Sequence, residues 1–139
     1  MKDEPSRYVL DSYALLAHLE GEPGGKRVKA ILDQAGHGQA QVYLSVINFG
    51  EAVYITERER GLTSAQRMIA SVDQLPIAVI DADRALTLAA AHLKADHPIA
   101  YADAFSAALA LDKDAVLVTG DPELHCLDPL LPIDWLPQT

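Results

Sequence analysis

The sequence contains a single cysteine, Cys126, so no disulfide can form within the chain and a reducing cytoplasm is the expected compartment. A lone thiol of this kind is more often a small buried hydrophobe than a nucleophile. No apolar run approaches the roughly 18 residues that a membrane span needs, so no membrane partner is expected. The N-terminal run Met1-Lys2-Asp3-Glu4-Pro5 is too charged to serve as a signal peptide. Repeats, low-complexity stretches and a dividing linker are absent as well. The 139 residues therefore read as one domain, 1–139, large enough to bury a substantial core.

Positive charge is the scarcest commodity. Eleven Lys and Arg face twenty Asp and Glu, a net charge of −9 that argues against simple electrostatic capture of a polyanion. From Val72 onward the only strong bases are Arg84, Lys94 and Lys113. The others concentrate at Lys26, Arg27 and Lys29 and at Arg58, Arg60 and Arg67, so contacts to nucleic acid are expected from the N-terminal half. Taken singly, each of these bases is equally well read as part of a solvated helix face.

What the sequence does have is a regular alternation of short β-rich runs with longer helical ones, the pattern of an α/β fold with a mostly parallel sheet. Tyr8–Asp11 reads as a first strand, with Ser12 capping a helix to about Glu20. A glycine-rich loop over 21–25 leads into a helix from Lys26 to Ala35. Val42–Leu44 is a strand, and Ser45 caps a long helix to about Arg60, ended by Gly61. Helices then follow from Thr63 to Leu75, from Asp83 to Ala95 and from Ala100 to Asp112. Ile77–Ile80 reads as a buried strand, Ala115–Thr119 as the most apolar one and Ile133–Leu136 as a short last one.

Against that frame four acids occupy places where a surface reading is strained. Asp11 and Asp121 follow the C-terminal ends of apolar strands, the edge where ligands bind in open parallel sheets. Each is also explicable as a cap or a turn residue. Glu51 has Ile47, Asn48, Tyr54 and Ile55 at three and four residues, which places it largely on the core-facing stripe of its helix. Asp103 has Ile99, Ala100, Ser106 and Ala107 at the same offsets. A buried carboxylate is normally paired or metal-bound, and no base lies within one helical turn of Glu51 or Asp103. If the four converge, two divalent cations would neutralise them. Oxygen ligands favour Mg²⁺ or Mn²⁺ over zinc. Two such ions about 4 Å apart can stabilise the attacking and leaving oxygens of phosphodiester cleavage.

In the segments Val9-Leu10-Asp11-Ser12, Leu44–Glu51, Ile99–Phe105 and Leu117–Asp121 the sequence resembles the PIN-domain nucleases, specifically the VapC-type toxins of toxin–antitoxin pairs. The four segments occur in the family's order and spacing and span nearly the whole chain. The resemblance implies an α/β/α sandwich in which Asp11, Glu51, Asp103 and Asp121 bind one or two Mg²⁺ or Mn²⁺ ions. It further implies a metal-dependent endoribonuclease with an RNA substrate. Ser12 and Thr119 match positions that support the site, although a helix cap and a strand end explain them equally. A homodimer is also implied, and a small antitoxin laid over a groove, for which the helix from Ser45 to Arg60 is the candidate. The acidic charge suits a basic antitoxin better than RNA capture, and is the main departure from an RNA cutter. The alternative is a catalytically inactive PIN domain that binds RNA or protein.

Other chemistries fit less well. In the loop Gly21–Arg27, Lys26 is followed by Arg27 rather than by the Ser or Thr of a P-loop. His18, His37, His92, His97 and His125 show no metal-ligand spacing, and no Gly-x-Ser-x-Gly elbow is present. Asp81 and Asp83 suggest a phosphoacceptor receiver, but Asp83 as a helix cap explains the pair better. A haloacid-dehalogenase-like phosphatase needs a second Asp where Tyr13 stands. Trp135 reads as a core or dimer-edge residue rather than a base-stacking platform.

Overall fold

A computed structural model describes residues 4–138; the first three residues of the charged N-terminal run and residue 139 lie outside them. Five strands form one sheet in the order β3-β2-β1-β4-β5, where β1 is Ser6–Leu10, β2 Ala40–Ser45, β3 Ala78–Ile80, β4 Val116–Thr119 and β5 Ile133–Trp135. All four strand pairings are parallel, one step beyond the mostly parallel sheet expected. The connections are α1 (Ser12–Leu19), α2 (Gly25–Gly36), α3 (Val46–Arg60), α4 (Leu62–Gln74), α5 (Arg84–Asp96), α6 (Tyr101–Lys113) and a 3₁₀ turn at Pro122–Leu127.

Successive strand residues feed opposite faces, and both faces are covered, as parallel sheets require. Val9 and Leu117 join one core with Leu86 and Ala90 of α5 and the small residues of α6. Leu10, Leu44 and Val118 join a second core with α1, α2, Ala52 of α3 and Met68 of α4. The result is the α/β/α sandwich expected from the sequence.

Two local expectations change. Ile77–Ile80 is a buried strand in sequence, yet β3 pairs only with β2; Ala78 is exposed and Val79 and Ile80 are half-buried. An edge position, with one neighbour instead of two, accounts for that exposure. Ser12 is not the cap of α1: Asp11 is, its Oδ1 accepting the Ala14 N–H at 2.8 Å. Capping by an aspartate at the strand end frees the Ser12 hydroxyl for another bond. Asp83 does cap α5, accepting the Leu86 N–H at 2.8 Å.

The chain order makes β1 and β4 neighbours at the centre of the sheet, with Leu10 opposite Val118. Their connections depart in opposite directions along the sheet, which opens a crevice at their C-terminal ends. Gly120 lets Tyr13 of α1 approach the end of β4, because a Cβ at that position would overlap its ring. Gly50, by contrast, lies in the middle of α3 with nothing within 4 Å of where a Cβ would be. Gly120→Ala is therefore expected to destabilise the fold by about 1–3 kcal/mol. Gly50→Ala should stabilise it by about 0.5–1 kcal/mol. Thermal or denaturant melts of the two variants check the opposite signs.

Candidate functional site

The crevice between β1 and β4 gathers acids from four separate parts of the chain. Asp11 comes directly after β1, and Asp121 follows β4 after the single residue Gly120. Asp103 enters from the first turn of α6, and Glu51 from the second turn of α3. Carboxylate oxygens of Asp103, Asp121 and Glu123 all lie within 4.8 Å of one another. Asp11 and Glu51 stand outside that closest group but within its electrostatic reach. The charges of Asp103 and Asp121 act on Asp11, and those of Asp121, Glu51 and Glu123 act on Asp103.

Glu123 is the member that the sequence reading missed. It stands two residues after Asp121, whose Oδ1 accepts the Glu123 N–H at 3.0 Å. That bond folds the start of the 3₁₀ turn back on the strand end and returns a second carboxylate to the same point. The acid-x-acid spacing after the most apolar strand was the available signal.

The local caps expected as the bland explanation are real, yet they do not compete with clustering. Asp11 caps α1 and Asp121 caps the 3₁₀ turn, each with one oxygen. Thr119, fully buried at the end of β4, accepts the Asp121 N–H on its hydroxyl at 3.1 Å. The same hydroxyl favours the ionised form of Asp11. Ser12 donates to Glu51 Oε1. Both residues offered as supports thus touch a member of the cluster.

Glu51 is half-buried rather than core-facing, and the stripe assigned to it needs correction. Asn48, Ala52 and Thr56 form the buried face of α3, whereas Ile47 and Tyr54 are 36% and 49% exposed. The helix is rotated so that Glu51 lies at the border of the buried face. Cys126 is likewise exposed, on the 3₁₀ turn, not a buried hydrophobe. Trp135 is half-buried, with His125 stacked on it at 3.9 Å and its N–H donating to Asp128.

Electrostatics defines what the cluster lacks. Burial, above all, raises Asp11 to a pKa of about 7, helped by the charges of Asp103 and Asp121 and opposed by the Thr119 and Ala14 hydrogen bonds. Burial and then the charges of Asp121, Glu51 and Glu123 raise Asp103 to about 7. Among the described residues the basic side chains are paired elsewhere or stand free, as in Arg27–Asp134, Lys29–Asp33, Arg60–Glu20 and Lys113–Asp112. Among the described residues no ion pair reaches the cluster. A group of oxygen-only donors, mutually repelling and without a cation from the described residues, fits hard divalent ions such as Mg²⁺ or Mn²⁺.

Comparison with known proteins gives a consistent frame. A sequence model of the PIN domain matches residues 8–128. Among solved structures, VapBC2 from Rickettsia felis, bound to a DNA fragment from its promoter, superposes with a TM-score of 0.73 at 17% identity, over 94% of this chain and 99% of that one. VapC20 from Mycobacterium tuberculosis, a sarcin–ricin loop cleaving toxin, gives 0.67 at 18% identity, over 86% and 93%. A toxin–antitoxin complex from Klebsiella pneumoniae gives 0.66 at 16% identity, over 91% and 95%. No curated protein matches in sequence. At these identities the likenesses speak for the fold.

The raised carboxylates carry a pH signature. A carboxyl whose folded pKa is lifted from 3.8 to about 7 binds its proton more tightly in the folded state. Its stabilising share is complete below pH about 4 and is lost as pH rises through 7. In EDTA, Asp103→Asn should therefore change the melting temperature little at pH 4 and raise it increasingly toward pH 8. Mg²⁺ at pH 8 should raise that of the wild type only. An Asp103→Asn increment that is the same at both pH values would rule out the repulsion described.

Proposed function

Because the chain belongs to the PIN-domain family, we propose that it is a Mg²⁺- or Mn²⁺-dependent endoribonuclease, the toxin of a toxin–antitoxin pair. The convergence of Asp11, Glu51, Asp103, Asp121 and Glu123 on one crevice, with no cation from the described residues among them, is the observation that carries this reading. The described elements all belong to one sheet and its covering helices, which supports reading residues 1–139 as a single nuclease domain.

In this reading Asp103, Asp121 and Glu123 present the nearest set of ligand oxygens, and Asp11 and Glu51, within electrostatic reach, complete it. Bound divalent ions would supply charge neutralisation and Lewis acidity for hydrolysis of a phosphodiester. The chain's own residues fix the carboxylates. The Ala14 N–H and the Thr119 hydroxyl hold Asp11, the Glu123 N–H holds Asp121, and the Ser12 hydroxyl holds Glu51. Such bonds let like charges remain in place before any ligand arrives.

RNA is the substrate best supported. The structural neighbour that cleaves the sarcin–ricin loop acts on an RNA element. Of the bases expected to meet nucleic acid, Arg27, Lys29 and Arg60 are held in ion pairs. Arg58 lies over the exposed Tyr54 ring at 5.2 Å, about two helical turns beyond Glu51, and with Lys26 and Arg67 is exposed and open to phosphate. For the antitoxin, a groove lined by Leu16 and Leu19 of α1, Thr56 and Arg60 of α3 and Arg67 and Met68 of α4 offers an apolar floor with a charged rim. From Arg60 back to Glu51 is about 14 Å of helix, short enough for one peptide segment to reach the acids. A homodimer is part of the same proposal, with Leu88 of α5 and Leu111 of α6 as exposed apolar contacts. No helix among the described residues is long and apolar enough to cross a membrane, which is compatible with the cytoplasmic location proposed here.

The decisive experiment incubates purified protein with total cellular RNA in Mg²⁺ or Mn²⁺, in EDTA, and with Asp11→Asn alongside. Discrete fragments that need metal and drop at least about a hundredfold in the variant are expected. Asn can keep the helix cap, so the variant should fold as well as the wild type or better in EDTA. Intact RNA under every condition, from folded protein that still binds RNA or a partner, favours the inactive binding module instead.

A further inference from the structure

We propose that Asn48 is a positioning residue, which sets the direction of the Ser12 hydroxyl and through it the carboxylate of Glu51. The inference rests on reading the acidic crevice as a divalent-cation site. Asn48 is fully buried on α3, three residues ahead of Glu51. Its Nδ2 donates to the Ala102 carbonyl at 3.1 Å and to Ser12 Oγ at 3.3 Å. A carbonyl can only accept, so Ala102 requires the nitrogen of the amide, not its oxygen, on that side. The same nitrogen then faces Ser12, and Ser12 Oγ must accept from it. A hydroxyl has one proton to give, and here it goes to Glu51 Oε1. Donation therefore runs in one direction, from Asn48 to Ser12 to Glu51, and ends on a group that only accepts.

A second observation points the same way. The Oδ1 of Asn48 is buried and has no hydrogen-bond partner. An orphaned buried oxygen is costly, and an apolar side chain of the same shape would avoid the cost. Bulk does not account for an amide here; its two N–H groups do. Both are spent on neighbours of the cluster, since Ala102 precedes Asp103 and Ser12 follows Asp11. One side chain thus links α1, α3 and α6 at the points where three of the acids leave them. With Oε1 engaged by Ser12, Oε2 of Glu51 is the oxygen left to meet a cation.

Metal binding without turnover tests this. Mn²⁺ affinity is measured by titration for the wild type, Asn48→Ala, Asn48→Leu, Ser12→Ala and Ser12→Thr, each with and without Glu51→Gln. Thermal melts follow the fold, and the near-isosteric Asn48→Leu keeps the test valid if Asn48→Ala does not fold. Asn48→Leu and Ser12→Ala are each expected to weaken Mn²⁺ binding about tenfold, the usual effect of losing a group that orients a ligand. Ser12→Thr, which keeps the hydroxyl, should bind as the wild type does. With Glu51→Gln present, neither Asn48→Leu nor Ser12→Ala should weaken binding further, because the chain of donors ends on Glu51. Unchanged affinity in Asn48→Leu, or the same loss with and without Glu51→Gln, overturns the inference. A wild type that binds no Mn²⁺ overturns the cation-site reading itself, a result distinct from either.

Discussion

Asp11 and Asp121 leave adjacent parallel strands at the same edge of the sheet, and Asp103 joins Asp121 there from the first turn of α6. Like charges are thereby confined where burial removes most of the water that would screen them, and the surrounding structure can be understood as holding them there. Parallel strands impose the arrangement, because every β-to-α connection begins at that edge. The helices that follow present N–H groups toward the same place, and Asp11 uses one of them as a cap. Tyr13 of α1 packs closely on Gly120 just after β4. Repulsion that an unfolded chain would relieve by separation is met instead with individual hydrogen bonds to Asp11, Asp121 and Glu51.

Much of the framework was legible because periodicity carries it. The alternation of β-rich and helical runs specified an α/β fold with a mostly parallel sheet, and the positions of Asp11 and Asp121 at strand ends followed from apolar runs that stop abruptly. The expected helices match α1 to α6 within one or two residues at each end. Asp103 was recognisable because its helix is small and apolar on every side, so a charge there has no surface role. It is 9% exposed.

What was not legible depends on rotation and on turns. Apolar neighbours at three and four residues do not determine which way α3 faces. Packing against α1, α4 and α6 selects Asn48, Ala52 and Thr56 as its inner face and turns Ile47 and Tyr54 outward. Glu123 depends on a 3₁₀ turn that reverses the chain within two residues, and the turn is set by Asp121 itself through a side-chain bond. Asn48 looked like one more polar residue in a helix. Its meaning comes from Ser12 and Ala102, 36 and 54 residues away in the chain, which no local pattern connects.

The double duty of Asp11 bears on how such chains change over evolutionary time. Its side chain both starts a helix and contributes charge, so relaxed selection on the chemistry would leave selection for the helix start in force. Asp, Asn, Ser or Thr would persist there in a lineage that had abandoned catalysis. The same applies to Asp121, which starts the 3₁₀ turn. No hydrogen bond gives the Asp103 carboxylate a comparable structural task among the described residues, and its burial makes it a net liability to the fold without a ligand. Position 103 is therefore where loss of function should first be written in the sequences of descendants, well before the strand ends record it.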